Sequence, residues 1–267
     1  MLRGRDDIDS CFRRLGKKEY DRSQTGRWKH DYCPVHQAFG EQRVIPWEEI
    51  DRAEVPGGEG EVILRKRGTE FSIRTATTEL MNSRLHGSED ALAELTCSRI
   101  KRKSDQRILI GGLGMGYTLA AALQHSGDDS LITVAELIPA VIRWNLEHFV
   151  HLVGNPLDDG RVSIQQEDVA ETIRRKKSTW DAILLDVDNG PDGLTRKANN
   201  RIYSMNGLKN IFLALRTGGI LSIWSSGADE QFTHRLKQCQ FQTEIVTVRA
   251  RKPGKGARHT IWLATKS

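Results

Sequence analysis

Directly after the apolar run Arg107–Ile110 the chain reads Gly111-Gly112-Leu113-Gly114-Met115-Gly116. Glycine accepts φ > 0 and lets the backbone approach a ligand closely, and a helix starting just beyond such a turn presents free N–H groups. Glu136 stands twenty residues past Gly116, just beyond the next apolar run, Leu131–Ala135. A carboxylate at that spacing can accept from both hydroxyls of a ribose. Each feature has a plainer reading, a packing turn for the glycines and a solvated helix-leading acid for Glu136. Together they point to an adenosine-containing ligand.

Two further acids follow apolar runs. Gln165-Gln166-Glu167-Asp168 comes after Val162–Ile164, where Asp168 can receive an exocyclic amine or simply lead the next helix. Ala182–Leu185 delivers Asp186-Val187-Asp188-Asn189-Gly190-Pro191-Asp192 at its carboxyl end, the crevice where open sheets hold substrate. Such carboxylates can raise one another's proton affinity or bind a cation. Asp186 and Asp188 are the catalytic candidates, with Asp186 beside the sheet and Asp188 farther into the turn.

Other chemistries are disfavoured. No Lys-Ser or Lys-Thr follows the glycines, so a phosphate-cradling NTPase loop is absent. Cys11, His30, Cys33 and His36 fit no usual zinc spacing, and no metal site is expected. The four cysteines are too sparse for a disulfide scaffold. The net charge of +5 is concentrated beyond Glu244, in Arg249, Arg251, Lys252, Lys255, Arg258 and Lys266. Without a long basic helix or stacking aromatics, that pattern fits two strands joined by a solvated Lys/Gly turn better than a nucleic-acid site. No apolar run approaches the ~20 residues of a membrane span, and the first 40 residues lack a secretory apolar segment, so a cytoplasmic protein is expected.

The elements that must position these residues alternate in period. With 38% hydrophobic residues in 267, the chain can bury a large core. Residues 1–43 mix charges with little apolar periodicity and read as a flexible extension. Residues 44–76 form a small β-hairpin unit around the turn Lys66-Arg67-Gly68-Thr69, too small to stand alone. Residues 77–100 are a linking segment and a helix with Ser88 as cap and Glu89 and Asp90 in its first turn. Over 101–267 strands and helices alternate as in a doubly wound α/β sheet, with the fully apolar fourth strand central. The last two strands, Thr243–Val248 and Thr260–Ala264, are too closely joined for a crossover helix and should pair antiparallel.

From residue 44 onward the sequence resembles the spermidine synthase-like branch of class I S-adenosylmethionine-dependent transferases. That resemblance implies a Rossmann-like class I methyltransferase fold with a small N-terminal β unit. It also implies S-adenosylmethionine or its decarboxylated form as cofactor, a small-molecule acceptor and room for a homodimer. Gly111, Gly112, Gly114 and Gly116 match the family's glycine loop, Glu136 its ribose carboxylate and Asp168 its adenine contact. Trp180-Asp181-Ala182-Ile183-Leu184-Leu185-Asp186 matches the strand whose Asp serves polyamine synthases as base, and Arg201-Ile202-Tyr203-Ser204 resembles a Leu-Tyr-Ser segment, making Tyr203 a substrate-side candidate. The family's Asp-Pro after the base and its Tyr-His-Glu stretch are missing, and Arg84 stands where an amine pocket would prefer neutral or acidic groups. These departures favour methyl transfer to a small nucleophile, with Arg84 holding an anionic group; aminopropyl transfer from decarboxylated S-adenosylmethionine is the alternative, and a non-catalytic binding protein a third reading.

Overall fold

A computed structural model describes residues 45–57, 60–102, 104–187, 199–251 and 255–267. The expected extension, its four metal candidates and Asp188 lie outside the described residues. Residues 45–267 form one compact unit containing two sheets.

The first sheet holds β1 (Glu48–Glu54), β2 (Glu61–Arg67), β3 (Glu70–Arg74) and β4 (Glu79–Asn82) in sequential antiparallel order. Gly68, at φ 61, makes the tight β2–β3 turn that the Lys-Arg-Gly-Thr signal predicts. Two more strands flank the predicted hairpin. β1 is largely exposed and carries Arg52 ion-paired to Glu49 and Glu61, so it lacks the apolar alternation that identifies a strand from sequence. Leu64, Phe71 and Ile73 of this sheet share a core with Leu92, Met115, Trp144 and Phe149 of the larger domain. Phe71 meets Phe149 edge-on at 5.4 Å. Burying side chains such as Leu64 and Phe71 contributes about 1.5–3 kcal/mol each, which a four-stranded sheet could not gain alone. Asp51 adds a polar tie, accepting from Trp144 Nε1 at 2.7 Å and from Arg143 at 2.5 Å.

The second sheet has seven strands: β5 (Arg107–Gly111), β6 (Leu131–Ala135), β7 (Val162–Gln165), β8 (Trp180–Leu185), β9 (Leu215–Ser225), β10 (Phe241–Arg251) and β11 (Lys255–Lys266). Their order is β10-β11-β9-β8-β5-β6-β7. β8 is buried along its whole length and takes the middle place, as its unbroken apolar run predicts. Strands β5 to β9 are parallel, whereas β11 runs antiparallel to both β9 and β10, as the short connection requires. Separate cores cover the sheet's two faces, one built on Ile108, Ile110 and Leu184, the other on Leu109, Ile183 and Leu185.

Helices α1 (Gly87–Arg99), α2 (Tyr117–His125), α3 (Pro139–Glu147), α4 (Val150–Val153), α5 (Val169–Arg175), α6 (Asn199–Ile202), α7 (Met205–Ala214) and α8 (Glu230–Gln238), with a 3-10 turn at Pro156–Asp158, join these strands. Ser88 does not cap α1. The cap position is His86, which stacks on Tyr117 with ring centroids 4.2 Å apart and nearly parallel planes. Tyr117 in turn donates its hydroxyl to the Ser83 carbonyl at 3.1 Å. The starts of α1 and α2 are thus clamped together, beside the carboxyl ends of β5 and β8. Among the described residues no helix is long and apolar enough to cross a membrane.

Candidate active site

A cleft of about 700 Å³ lies between the small sheet and the carboxyl ends of β5, β6 and β8. The glycine turn forms one wall. Gly112 has φ 86, and a Cβ there would lie 2.7 Å from the Asp186 carbonyl oxygen; Gly114 has φ 53, and its Cβ would lie 2.8 Å from Met81 Sδ. Both line the cleft. Gly111 and Gly116 do not: a Cβ on Gly111 would press on Val169 at 2.9 Å, and one on Gly116 on Asn145 Oδ1 at 2.8 Å. Of the four predicted glycines, two face ligand space and two permit close packing of the turn.

Glu136 is buried and faces the cleft. Its two oxygens each accept a backbone N–H at 2.8 Å, from Leu113 in the glycine turn and from Ile138 ahead of α3. A carboxylate offers about four lone-pair sites and can accept several donors at once. Asp168 also lines the cleft, while its Oδ1 accepts from Ala170 N at 2.9 Å as the cap of α5. The structural and ligand readings of Asp168 therefore coexist, because capping uses one of its oxygens.

Asp186 follows β8 and lines the same cleft. Its backbone N–H donates to the Gly111 carbonyl at 3.1 Å, and its Oδ2 accepts from the Thr118 hydroxyl at 2.8 Å. Burial raises this carboxyl above its ordinary range, opposed by the Thr118 bond. The same cleft is lined by a residue that the sequence places in the first turn of a helix: Glu89, 7% exposed. Burial, reinforced by the Asp186 charge, pushes Glu89 up to about 7 against the pull of the Ser88 hydroxyl, its own helix N–H and His86. An acid in the first turn of a helix carries the dipole-pairing signal whether solvated or buried, so spacing alone does not mark it.

The remaining candidates lie elsewhere. Arg84 is exposed, pairs with Glu70 at 3.5 Å, and does not line the cleft, so the expected anion-holding role has no geometric basis. The chain turns sharply after β4, with Arg84 N donating to Asn82 Oδ1 at 3.1 Å, and that turn sends the side chain outward. Tyr203 is buried behind the wall, its hydroxyl donating to the Val187 carbonyl at 3.4 Å and its ring edge-on to Phe232. It can act on the cleft only through the Asp186–Val187 segment.

The cleft's charge is one-sided. Glu61, Glu79, Glu89, Glu136, Glu167, Asp168 and Asp186 line it, and among the described lining residues there is no Lys or Arg. Ion pairs and hydrogen bonds turn some of this charge aside: Glu61 pairs with Arg52, Glu167 with Arg175, and Glu79 accepts from Ser72 and Asn82. At one end stand Trp224 and His259, ring centroids 4.8 Å apart, with burial holding the imidazole below its ordinary pKa and hence neutral.

Solved structures of similar fold include the spermidine synthase of Thermotoga maritima, with TM-score 0.66 and 16% identity over 82% of this chain and 73% of that one. A spermidine synthase bound to the transition-state analogue AdoDATO gives TM-score 0.64 at 16% identity, covering 82% and 72%. The chain has a spermidine synthase-like fold. A probable spermidine synthase from Corynebacterium glutamicum is also similar, with TM-score 0.58 and 15% identity over 82% of this chain and 79% of that one. In sequence, the polyamine aminopropyltransferase of Korarchaeum cryptofilum is 25% identical over 125 residues, 47% of this chain and 37% of that protein. The match thus spans little more than a third of that relative's length. No family model matches the chain. These relatives overturn the expectation of methyl transfer: they are spermidine synthases and an aminopropyltransferase, and they favour the alternative reading.

Proposed function

We propose that the chain transfers an aminopropyl group from decarboxylated S-adenosylmethionine to a small amine. One observation carries the reading: a cleft lined by seven carboxyl groups and, among its described lining residues, no Lys or Arg. Decarboxylated S-adenosylmethionine is a dication, bearing a sulfonium and an ammonium, and an amine acceptor is a cation as well. The parent S-adenosylmethionine adds a carboxylate that would meet this wall without a counter-charge, which costs affinity. The antiparallel β11 between β9 and β10 further supports reading the sheet as the class I methyltransferase type, a fold that here serves a different transfer.

The residues divide the work by position. Gly112 and Gly114 leave room where side chains would intrude, Glu136 accepts from ribose hydroxyls, and Asp168 receives the adenine amine. Asp186 takes a proton from the acceptor's ammonium, and Tyr203 positions it by holding the Val187 carbonyl. The donor supplies an activated carbon beside its sulfonium, so orientation and deprotonation of the acceptor are what the protein adds.

Mass spectrometry of reactions with putrescine and other small diamines tests this. Methylthioadenosine and an aminopropylated amine should appear with the decarboxylated donor. Asp186→Asn should lower turnover roughly ten- to ten-thousandfold with much of the donor affinity kept, the span expected when a positioned proton acceptor is lost. Arg84→Ala, outside the cleft, should leave the rate unchanged. Tighter binding of S-adenosylmethionine than of its decarboxylated form would refute the reading.

A further inference from the structure

Three elements bring polar side chains to the cleft or directly behind its lining. α1 contributes Glu89 from its first turn, α2 contributes Thr118 from its first turn, and the end of β8 contributes Asp186. The His86–Tyr117 stack fixes the two helix starts relative to each other. Both carboxyls face the cleft and each holds a hydroxyl donor, Ser88 on Glu89 at 2.6 Å and Thr118 on Asp186 at 2.8 Å. The ionisable groups around them are His86, Asp90 and Tyr117. His86 Nδ1 lies 3.2 Å from Asp90 Oδ2, which ties this ring to its own helix.

We infer that Glu89 is a second acid–base group of the cleft, sharing one proton with Asp186 and thereby setting the proton affinity with which Asp186 unloads an ammonium acceptor. The inference rests on the aminopropyl-transfer reading and deepens it. Two enclosed carboxyls lining one cleft repel when both are ionised, and the Asp186 charge helps push Glu89 up, so the pair titrates in two steps that belong to it jointly. Cationic ligands entering the cleft favour the doubly ionised pair and expel the shared proton to solvent. Asp186, now beside a charged Glu89, is a stronger base than an isolated Asp. An N–H bond of the acceptor ammonium breaks as an O–H bond forms on Asp186. The freed nitrogen pair then forms the C–N bond while the C–S bond breaks and its electrons stay on sulfur. The proton on Asp186 leaves to water after the products.

Two measurements separate failure of this pairing from failure of the proposed reaction. Difference infrared spectroscopy on the ligand-free protein needs no turnover: it should show a protonated carboxyl band that disappears on raising the pH through about 7, the value to which Glu89 is pushed. Glu89→Gln should remove that titration, and a wild-type protein without it would overturn the inference whatever the reaction. In the pH profile of kcat, Glu89→Gln removes the repulsion, so the acidic limb should move to lower pH by roughly one unit with a reduced plateau, about a tenfold change in proton affinity. Thr118→Val removes a bond to ionised Asp186 and should move the limb the other way. Limbs left in place by both variants would reduce Glu89 to a structural residue, and a limb moved by Thr118→Val alone would leave Asp186 acting without a partner.

Discussion

Replacing Glu136 by Gln tests whether one buried carboxylate both builds the glycine turn and faces the ligand. In the wild type its two oxygens each accept a backbone N–H at 2.8 Å. Glutamine is nearly isosteric but keeps only one oxygen, so its NH₂ must face either Leu113 N–H or Ile138 N–H, donor against donor. One charge-assisted bond is lost, worth about 1.5–3 kcal/mol, and one enclosed N–H is left unsatisfied, a cost of about 1–3 kcal/mol. These overlap, and the sum expected is about 2–4 kcal/mol. At about 1.4 kcal/mol per factor of ten, the unfolding equilibrium shifts roughly thirty- to a thousandfold. Urea denaturation of the ligand-free protein should show a lower midpoint with an unchanged slope, since the surface exposed on unfolding is the same. Calorimetry with methylthioadenosine should then show weakened binding, because the remaining oxygen must serve backbone and ribose together. An unchanged urea midpoint would refute the claim that Glu136 holds the turn, and unchanged nucleoside affinity would remove it from the ribose.

The two cleft-facing glycines should respond differently to Ala. At Gly112 the added Cβ meets a backbone carbonyl at 2.7 Å, whereas at Gly114 it meets the flexible Met81 side chain at 2.8 Å, so Gly112→Ala should cost more stability in thermal melts while both weaken nucleoside binding. Asp51 links acid to the small sheet: the Trp144 indole N–H, then Arg143 and the Arg52 backbone N–H, hold its carboxyl below the ordinary value. A depressed folded pKa contributes stability that is present above the unfolded value of about 3.9 and lost as pH falls through the folded one. The melting temperature of Asp51→Asn should therefore fall below wild type at pH 7 and converge on it in strong acid; a constant gap across that range would show that the charge is irrelevant.

The main sheet is legible because its signals are physical necessities: a strand buried on both faces, such as β8, must be apolar throughout, and a turn pressed against Asp186 and Met81 must be glycine. The pair β10 and β11 is placed correctly but underestimated in length, because Arg249, Arg251, Lys255 and Arg258 continue the strands beyond the apolar segment. β1 and β4 leave little pattern because one is mostly exposed and the other only four residues long. In the candidate site, spacing along the chain identifies Glu136, Asp168 and Asp186 as neighbours of one cleft. It misplaces Arg84, whose direction depends on a local turn, and it overlooks Glu89, whose burial depends on the docking of α1 against β10 and α2. The approach of Gly87 to the Ala250 carbonyl, where a Cβ would sit 3.0 Å away, is a contact between residues far apart in sequence. No local pattern carries that information.

The place of β11 in its sheet bears on how the chain is made. β11 lies between β9 and β10, yet it is synthesised after both. Until β11 is added, β9 presents an open edge, and β10 lacks the neighbour it pairs with among the described residues. The waiting edge includes Ile220, Leu221 and Ile223, all buried once β11 arrives. An apolar strand edge left open during synthesis is a template for wrong pairing with another nascent chain. The arginines and lysines clustered in β10 and β11 put like charges on the late-arriving hairpin, so that two copies emerging side by side repel before either can settle on the other's open edge.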